Sequence, residues 1–353
     1  MLRYFTAGES HGPMEVAILE GIPSGLALSV KDIQKDLDKR NGGKGRGGRG
    51  HIETDQVKIV SGTRNGKTIG SPIALLVENL DFVNWKEKIV SNTNPRPGHA
   101  DLAGSLKYHL SDIRDVLERA SARETVMRVA VGSVCRKLIG LLGIEITSRV
   151  IQIGKAFESQ KLMEVEILNA IKNKDTLGGV IEIAAHNVPA GLGSHVHYDR
   201  KLDGVLAQHL MSIPSVKAVE IGDGIKNSEK YGSEVQDEIY YRVQDATQFF
   251  RKTNRAGGIE GGITNGEDII CRVYHKPLST LGHPLNTVDI ITKKTTKALV
   301  ERSDVCVIFR AGIISEAAIA FVLSQAALEK FGGDSISEFT RNFEGYKKNL
   351  TTL

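Results

Sequence analysis

The stretch PRPGHADLAGSLKYHLSDIRDVLERASARET, residues 95–125, is the one from which the rest of the chain can be read. Pro95 and Pro97 fix φ and Gly98 permits a tight bend, so it opens as a loop. It ends where a helix begins. Ser121 and Glu124 have the spacing of a capping box, and Val126, Ala130, Val134, Leu138 and Leu142 follow as an apolar stripe. Arg119, Ser121 and Arg123 crowd the first turn. Unpaired N–H groups and positive potential make a helix N-terminus an anion site, and arginine adds bidentate hydrogen bonds to a phosphate. The same residues also fit a plain capped helix whose arginines pair with Asp112, Asp115 and Glu118.

Towards the N-terminus, residues 2–6 and 14–20 read as strands around the turn GESHGP. His11 in that turn is either a general acid or an ordinary turn residue. Ser29 and Asp32 form a capping box for a helix over 30–40 with Ile33 and Leu37 inside. NGGKGRGGRGHIETD, residues 41–55, holds six glycines between Gly42 and Gly50, and Arg40, Lys44, Arg46 and Arg49 project from it. It is a basic lid over an anionic ligand or a solvated loop. It is no Walker loop, because no Gly-Lys-Ser/Thr follows, and as one short copy it is no RGG array. Residues 57–62 and 73–78 read as strands, with Arg64-Asn65-Gly66-Lys67 as a hairpin turn between them. Trp85 beside Phe82 reads as a small packed cluster.

Towards the C-terminus, strands are expected at 145–153, 180–184, 216–222 and 269–274. Helices are expected at 160–172, with Leu162, Val165 and Leu168 inside, and at 203–211, 294–301 and 315–331. Glu316 falls in the first turn of the last of these, and Gly332 and Gly333 stop it. Arg302-Ser303-Asp304 reads as a turn into a short apolar strand, and the last fifteen residues or so as a polar periphery. Residues 249–266 form a second glycine-rich loop carrying Arg251, Lys252 and Arg255. His195 and His197 alternate on one strand face near His186, but no acid or cysteine stands at ligand spacing, so no metal is expected.

Of the 353 residues, 41% are apolar and 25% charged, as in a globular protein, and the net charge of +4 argues against a nucleic-acid partner. Cys135, Cys271 and Cys306 are too few for a disulfide framework and read as buried thiols in a reducing compartment. With no N-terminal leader pattern and no apolar run of membrane length, a cytoplasmic protein without a membrane partner is expected. No GxGxxG follows a strand, so a dinucleotide-binding fold is not indicated. One mixed α/β domain over 1–353 is expected, with two similar halves dividing near residue 173.

GESHG at 8–12, RPGHAD at 96–101, RASARET at 119–125, NRAGGIEGG at 254–262, KPLST at 276–280 and RSD at 302–304 together resemble the chorismate synthase family, almost end to end. The resemblance implies a layered β-α-β sandwich, usually a homotetramer. It implies a 1,4-anti elimination of phosphate from 5-enolpyruvylshikimate-3-phosphate, using reduced FMN without net redox change. It assigns His11 to phosphate departure, His99 to the flavin's working protonation state, and Asp304 to a place beside flavin N5. It carries over FMN contacts at Arg119, Ala120 and Ser121, at Asp245 and Ala246, at Gly261, at Lys276, Pro277, Leu278, Ser279 and Thr280, and at Arg302. Arg40, Arg46, Arg49 and Arg123 fall to the substrate. Many members have His or Arg where Ser303 stands, and Pro-Arg where Phe309-Arg310 stands. The chain lacks the extra segments of members that reduce their own flavin, which implies a monofunctional enzyme fed from NADPH by a separate flavin reductase. A flavin-free phosphate-ester or nucleotide binder, and a nucleic-acid module using the glycine-rich loop, are the competing classes.

Overall fold

The computed structural model describes residues 1–42, 55–85, 90–242, 249–301 and 303–351. Strands β1 (Arg3–Ala7), β2 (Met14–Glu20), β3 (Val57–Ile59) and β4 (Ile73–Glu78) form an antiparallel sheet in the order β1-β2-β4-β3. Side chains alternate across each strand, so Ala17, Leu19, Ile73, Leu75 and Val77 all point to one buried face. Helices α1 (Val30–Asn41), α2 (Asp101–Tyr108), α3 (Ile113–Ala120) and α4 (Thr125–Gly140) follow. A second antiparallel sheet takes β5 (Glu145–Ile153), β6 (Ala156–Phe157), β7 (Gly179–His186), β8 (Val216–Ile221) and β9 (Ile269–His275), in the order β8-β9-β7-β5-β6. Helices α5 (Gln160–Lys172), α6 (Leu202–Met211), α7 (Ile308–Phe331) and α8 (Ile336–Leu350) complete the frame. The middle layer is helical: α4 packs on β2 and β4, α7 packs on β5 and β7, and the two helices pack on each other. This is the β-α-β sandwich.

Both central helices are apolar on nearly every side, as helices between two sheets must be. The α7 segment is long and apolar enough to cross a membrane, contrary to the sequence expectation, but 78% of that window is buried inside the protein. It is a core helix. Burial also pushes the Cys135 and Cys271 thiols up to about 12, so they act as packing groups.

Several expectations need correction. Two short helices that sequence reading did not mark lie between the opening loop and α4: Asp112 accepts from the Arg114 N–H and starts α3, while His109 ends α2 in the left-handed region. Ser121 accepts from the Arg123 N–H, but Glu124 turns away to Thr6 and Arg128, so no capping box forms there. On α5 the buried residues are Met163, Ile167 and Ala170, whereas Leu162, Val165 and Leu168 face outward. Residues 294–301 hold no helix: Thr295–Lys297 pairs with Asn286–Val288. The apolar run after Asp304 enters α7 at Ile308, which leaves Glu316 buried well inside that helix, bonded to Arg136 and Ser148. His197 lies in a turn, bonded to Asp199, and shares no strand face with His195. The C-terminal residues are not peripheral, because Phe339 and Phe343 pack on Phe331.

The crossing of α4 and α7 is the tightest constraint in the middle layer. A Cβ on Gly132 would lie 2.3 Å from the Cβ of Ala317 and 2.8 Å from its carbonyl oxygen. Helix propensity alone would make Gly132→Ala stabilising by up to ~1 kcal/mol. Overpacking opposes it and is larger, so urea denaturation should show a net loss of ~1–3 kcal/mol. Gly140→Ala, whose new methyl meets nothing within 4 Å, serves as the control and should be neutral or slightly stabilising.

Candidate active site

A cavity of about 420 Å³ opens where the β1–β2 turn, the ends of α1 and α3, the loop before α2, the segment after β9 and the first turns of α7 meet. The turn is fixed from outside. The Asn79 amide donates to the carbonyls of Ser10 (3.1 Å) and Gly12 (2.8 Å), and the Ser10 N–H donates to the Glu118 carbonyl. His11 is almost fully buried. Its Nδ1 lies 2.8 Å from Glu118 Oε1, its backbone N–H donates to Oε2 at 2.7 Å, and its ring centroid is 4.1 Å from that of Trp85. Trp85 is therefore no satellite cluster: its indole N–H is anchored on Asp81 at 2.8 Å and its ring covers the histidine. Burial works against the Glu118 charge, but the two hydrogen bonds from His11 outweigh it and hold the carboxyl below its usual range.

On a second side, Asp101 is fully buried and takes Arg96 through Nε (2.8 Å) and Nη2 (3.0 Å), with His99 Nδ1 at 2.5 Å. Burial opposes the Asp101 charge too, yet the bonds to His99 and Arg96 hold its carboxyl well below the usual range. Gly98, at φ +76°, bends the loop so that its carbonyl accepts from Lys276 Nζ (2.8 Å) and Ser279 Oγ (2.9 Å). Thr280 Oγ1 accepts from Arg96 Nη1. Deeper in, Asp55 lies between Arg40 (3.1 Å) and Arg123 (2.5 Å). At the start of α7, Asp304 Oδ2 pairs with Arg310 at 2.9 Å, and Glu301 pairs with Arg114. Leu117, Ile213, Pro214, Leu278, Val307 and Ile314 supply an apolar wall. Burial, and then the nearby Lys217 charge, lower the Lys276 pKa.

The structure thus brings His11, His99, Asp304, Arg40, Arg123, Ala120, Ser121, Lys276, Leu278, Ser279 and Thr280 to one cavity. Arg119 and Pro277 do not line it. Arg119 instead donates to the Gly8 and Thr6 carbonyls and holds the end of β1. Gly261 sits away from it in a tight turn beside His195. Arg46, Arg49, Asp245, Ala246 and Arg302 lie outside the described residues. Sequence reading did not mark Asp55, Trp85, Asp101, Glu118 or Glu301 as site residues. Among the described residues no group of His, Cys, Asp and Glu could hold a metal.

A layered α/β frame with a cation-rich cavity, one apolar wall and two histidines on carboxylates defines an enzyme for a small polyanionic substrate. The family model described as chorismate synthase matches residues 2–328. A chorismate synthase of Geobacter metallireducens is 48% identical over 393 residues, covering 100% of both chains. One of Caldanaerobacter subterraneus subsp. tengcongensis is 52% identical over 346 residues, covering 98% of each. A crystal structure of chorismate synthase aligns at a TM-score of 0.82 and 37% identity, covering 100% of this chain and 99% of that one. The chain belongs to the chorismate synthase family. It is a lyase of the shikimate pathway that eliminates phosphate from 5-enolpyruvylshikimate-3-phosphate to give chorismate, dependent on FMN. The donor set fits that cofactor: Lys276, Ser279, Thr280 and Ser121 offer hydrogen bonds to an anionic tail, and the apolar wall suits a flat ring.

Glu15 lies just outside the cavity on the inward face of β2, with 1% of its surface exposed and Oε2 unpaired. Burial raises its pKa from 4.5 to about 7, against the pull of Arg123 and then Arg119. A raised carboxyl contributes a penalty that is absent below pH 4.5, grows as the pH rises, and is complete above pH 7. Its size is ~3 kcal/mol. Glu15→Gln should therefore be more stable than the parent by about that amount at pH 8, with the gap closing by pH 4.5 in denaturant titrations.

Proposed function

We propose that this cavity is where the elimination takes place and that its residues divide the proton work. The observation that carries the reading is the meeting of His11, His99 and Asp304, from three distant parts of the chain, around one cation-rich space. Reduced FMN, when bound, would supply the transient electron density that the departure of phosphate needs, with no net redox change. His11 donates a proton to the departing phosphate. His99, set by Asp101, would keep the bound cofactor in its working protonation state, and Asp304, in its place beside flavin N5, would assist removal of the C6 proton. Arg40 and Arg123 hold substrate anions from the inner wall, joined by Arg46 and Arg49. Ser121, Lys276, Leu278, Ser279 and Thr280 hold the cofactor, joined by Ala120 and Arg302. The resemblance also assigns Arg119, Pro277, Asp245, Ala246 and Gly261 to the cofactor, but Arg119, Pro277 and Gly261 do not line this cavity and the reading does not need them. The whole chain acts as one domain of two similar halves, as a homotetramer in the cytoplasm.

Single-turnover kinetics with pre-reduced FMN test the assignments. His11→Ala, His99→Ala and Asp304→Ala should each slow the elimination by ~10²-fold or more with both ligands still bound. A variant that folds, binds both ligands and keeps a near-normal rate loses its assigned role.

The absence of the flavin-reducing segments supports a monofunctional enzyme. Purified protein given NADPH and oxidised FMN under anaerobic conditions should form little chorismate. Dithionite or a separate flavin reductase should restore turnover; robust NADPH-driven turnover without either would end this reading.

A further inference from the structure

The described residues place Glu118, on α3, in two contacts with residue 11. One carboxylate oxygen takes the backbone N–H and the other lies against ring Nδ1, at 2.7 and 2.8 Å. The Glu118 carbonyl also accepts from Ser10, so α3 grips the turn at three points. Trp85 closes one face of the ring, and Asp81 behind it holds the indole. Rotating the imidazole would break the Nδ1 contact and lift the ring off Trp85.

One helical turn earlier, Arg114 lies 3.7 Å from Glu118 Oε1 but 2.5 Å from Glu301 Oε1. Most of its charge is met by Glu301. The Glu118 carboxylate is therefore left facing the imidazole rather than neutralised by the arginine. Asp101 differs, because Arg96 grips both its oxygens.

We propose that Glu118 is the positioning residue for His11: its carboxylate fixes the Nδ1–H tautomer and turns Nε2 to the leaving phosphate, while Arg114 tunes that carboxylate's charge. The inference rests on His11 being the acid of the elimination. In the step, the His11 Nε2–H bond breaks and an O–H bond forms on the departing phosphate. The C3–O bond breaks with its electron pair going to phosphate, the C6–H pair enters the ring to complete the diene, and the C6 proton leaves on the Asp304 side. His11 is left neutral with its remaining proton on Nδ1, the tautomer that a carboxylate acceptor selects. Glu118 thus holds the Nδ1 proton both before and after the transfer.

Among the described residues, the charged and titratable groups around His11 are Glu118 and Arg114 on α3, Asp81 through Trp85, Glu301 and Asp304 before α7, Arg310 on α7, and Arg40, Arg123, Arg96, His99 and Lys276 across the cavity. The cations oppose a second positive charge there, and among the described residues Glu118 holds a carboxylate in direct contact with the ring. The two substitutions must then act in opposite senses. Glu118→Gln removes the negative charge, so activity should be lost at lower pH on the alkaline side. Arg114→Gln removes a competing cation, so that limb should move to higher pH.

The test uses the full-length protein labelled with ¹⁵N-histidine. Spectra of ligand-free protein, with the His11 signal identified among ten histidines by its loss in His11→Gln, should show Nδ1 protonated in the neutral ring. In Glu118→Gln the two tautomers should mix. Single-turnover elimination should fall by ~10–10²-fold, at or below the lower end of general acid effects because the acid itself remains, with substrate KM changed less than about threefold. Glu118→Asp should recover part of the rate. An Nε2–H tautomer in the parent protein overturns the proposal. So does an unchanged pH profile in Glu118→Gln, or limbs that shift the same way in both variants. If Glu118→Gln does not fold, the parent spectrum and the Arg114→Gln profile still decide. A His11→Gln variant with full activity would sink the acid role instead, and the ligand-free spectrum distinguishes the two failures.

Discussion

Asp55 lies between two guanidiniums, Arg40 and Arg123, almost wholly out of contact with solvent. A cavity meant for a polyanion must hold its cations inside protein before the anion arrives. A buried cation without a counter-charge costs several kcal/mol, so the cations here rest on carboxylates. Arg96 rests on Asp101, Arg310 on Asp304 and Arg114 on Glu301. Arginine suits this duty because its five donors form a fork, and one edge can hold the carboxylate while another serves a ligand. Arg96 already does so, with Nε and Nη2 on Asp101 and Nη1 on Thr280. Lys276 is different. Among the described residues no carboxylate pairs with it, and its ammonium is held by the Gly98 carbonyl and the Ser279 hydroxyl. Burial and Lys217 lower the Lys276 pKa, and an incoming anion would counter both.

The same balancing of charge ties the cavity to the core. Asp36 on α1 meets Arg136 on α4, which meets Glu316 on α7, which accepts from Ser148 on β5. This polar chain crosses the helical layer from the first helix to the second sheet. The Gly132–Ala317 crossing sets how deeply α7 lies against α4. The first turns of α7 then carry Val307, Arg310, Ala311 and Ile314 into the cavity wall. A shift of α7 along α4 would displace that wall and break the Arg136–Glu316 pair together, because close-packed cores transmit strain.

Much of the frame was legible because it rests on local rules. All strands of the two sheets but the two-residue β6, and the capped start of α1, follow from alternation and from Ser29 with Asp32. Errors arose where two readings satisfy the same local rule. α5 carries two apolar stripes at helical spacing, Met163–Ile167–Ala170 and Leu162–Val165–Leu168, and only the neighbouring sheet decides which is inside. The apolar run Val305-Cys306-Val307-Ile308, rich in β-branched residues, favours a strand locally, yet the packing of α7 carries its helix back to Ile308. Helices α2 and α3 have eight residues each and depend on tertiary contacts, so periodicity gave them little signal.

The site shows the same boundary between local and distant. His99 and Asp101 are two residues apart, and their contact was in principle readable from GHAD, since a loop closed by Gly98 can return a side chain onto its neighbour. His11 and Glu118 are 107 positions apart, and no spacing rule connects them. What connects them is the first sheet: β2 and β4 pair so that Asn79, just after β4, reaches back to the carbonyls of Ser10 and Gly12. That fixes the turn against α3, where Arg114 and Glu118 share one face because they are one helical turn apart. Residue types could nominate the histidines, but the groups that decide their tautomer and orientation arrive only through sheet pairing and helix register.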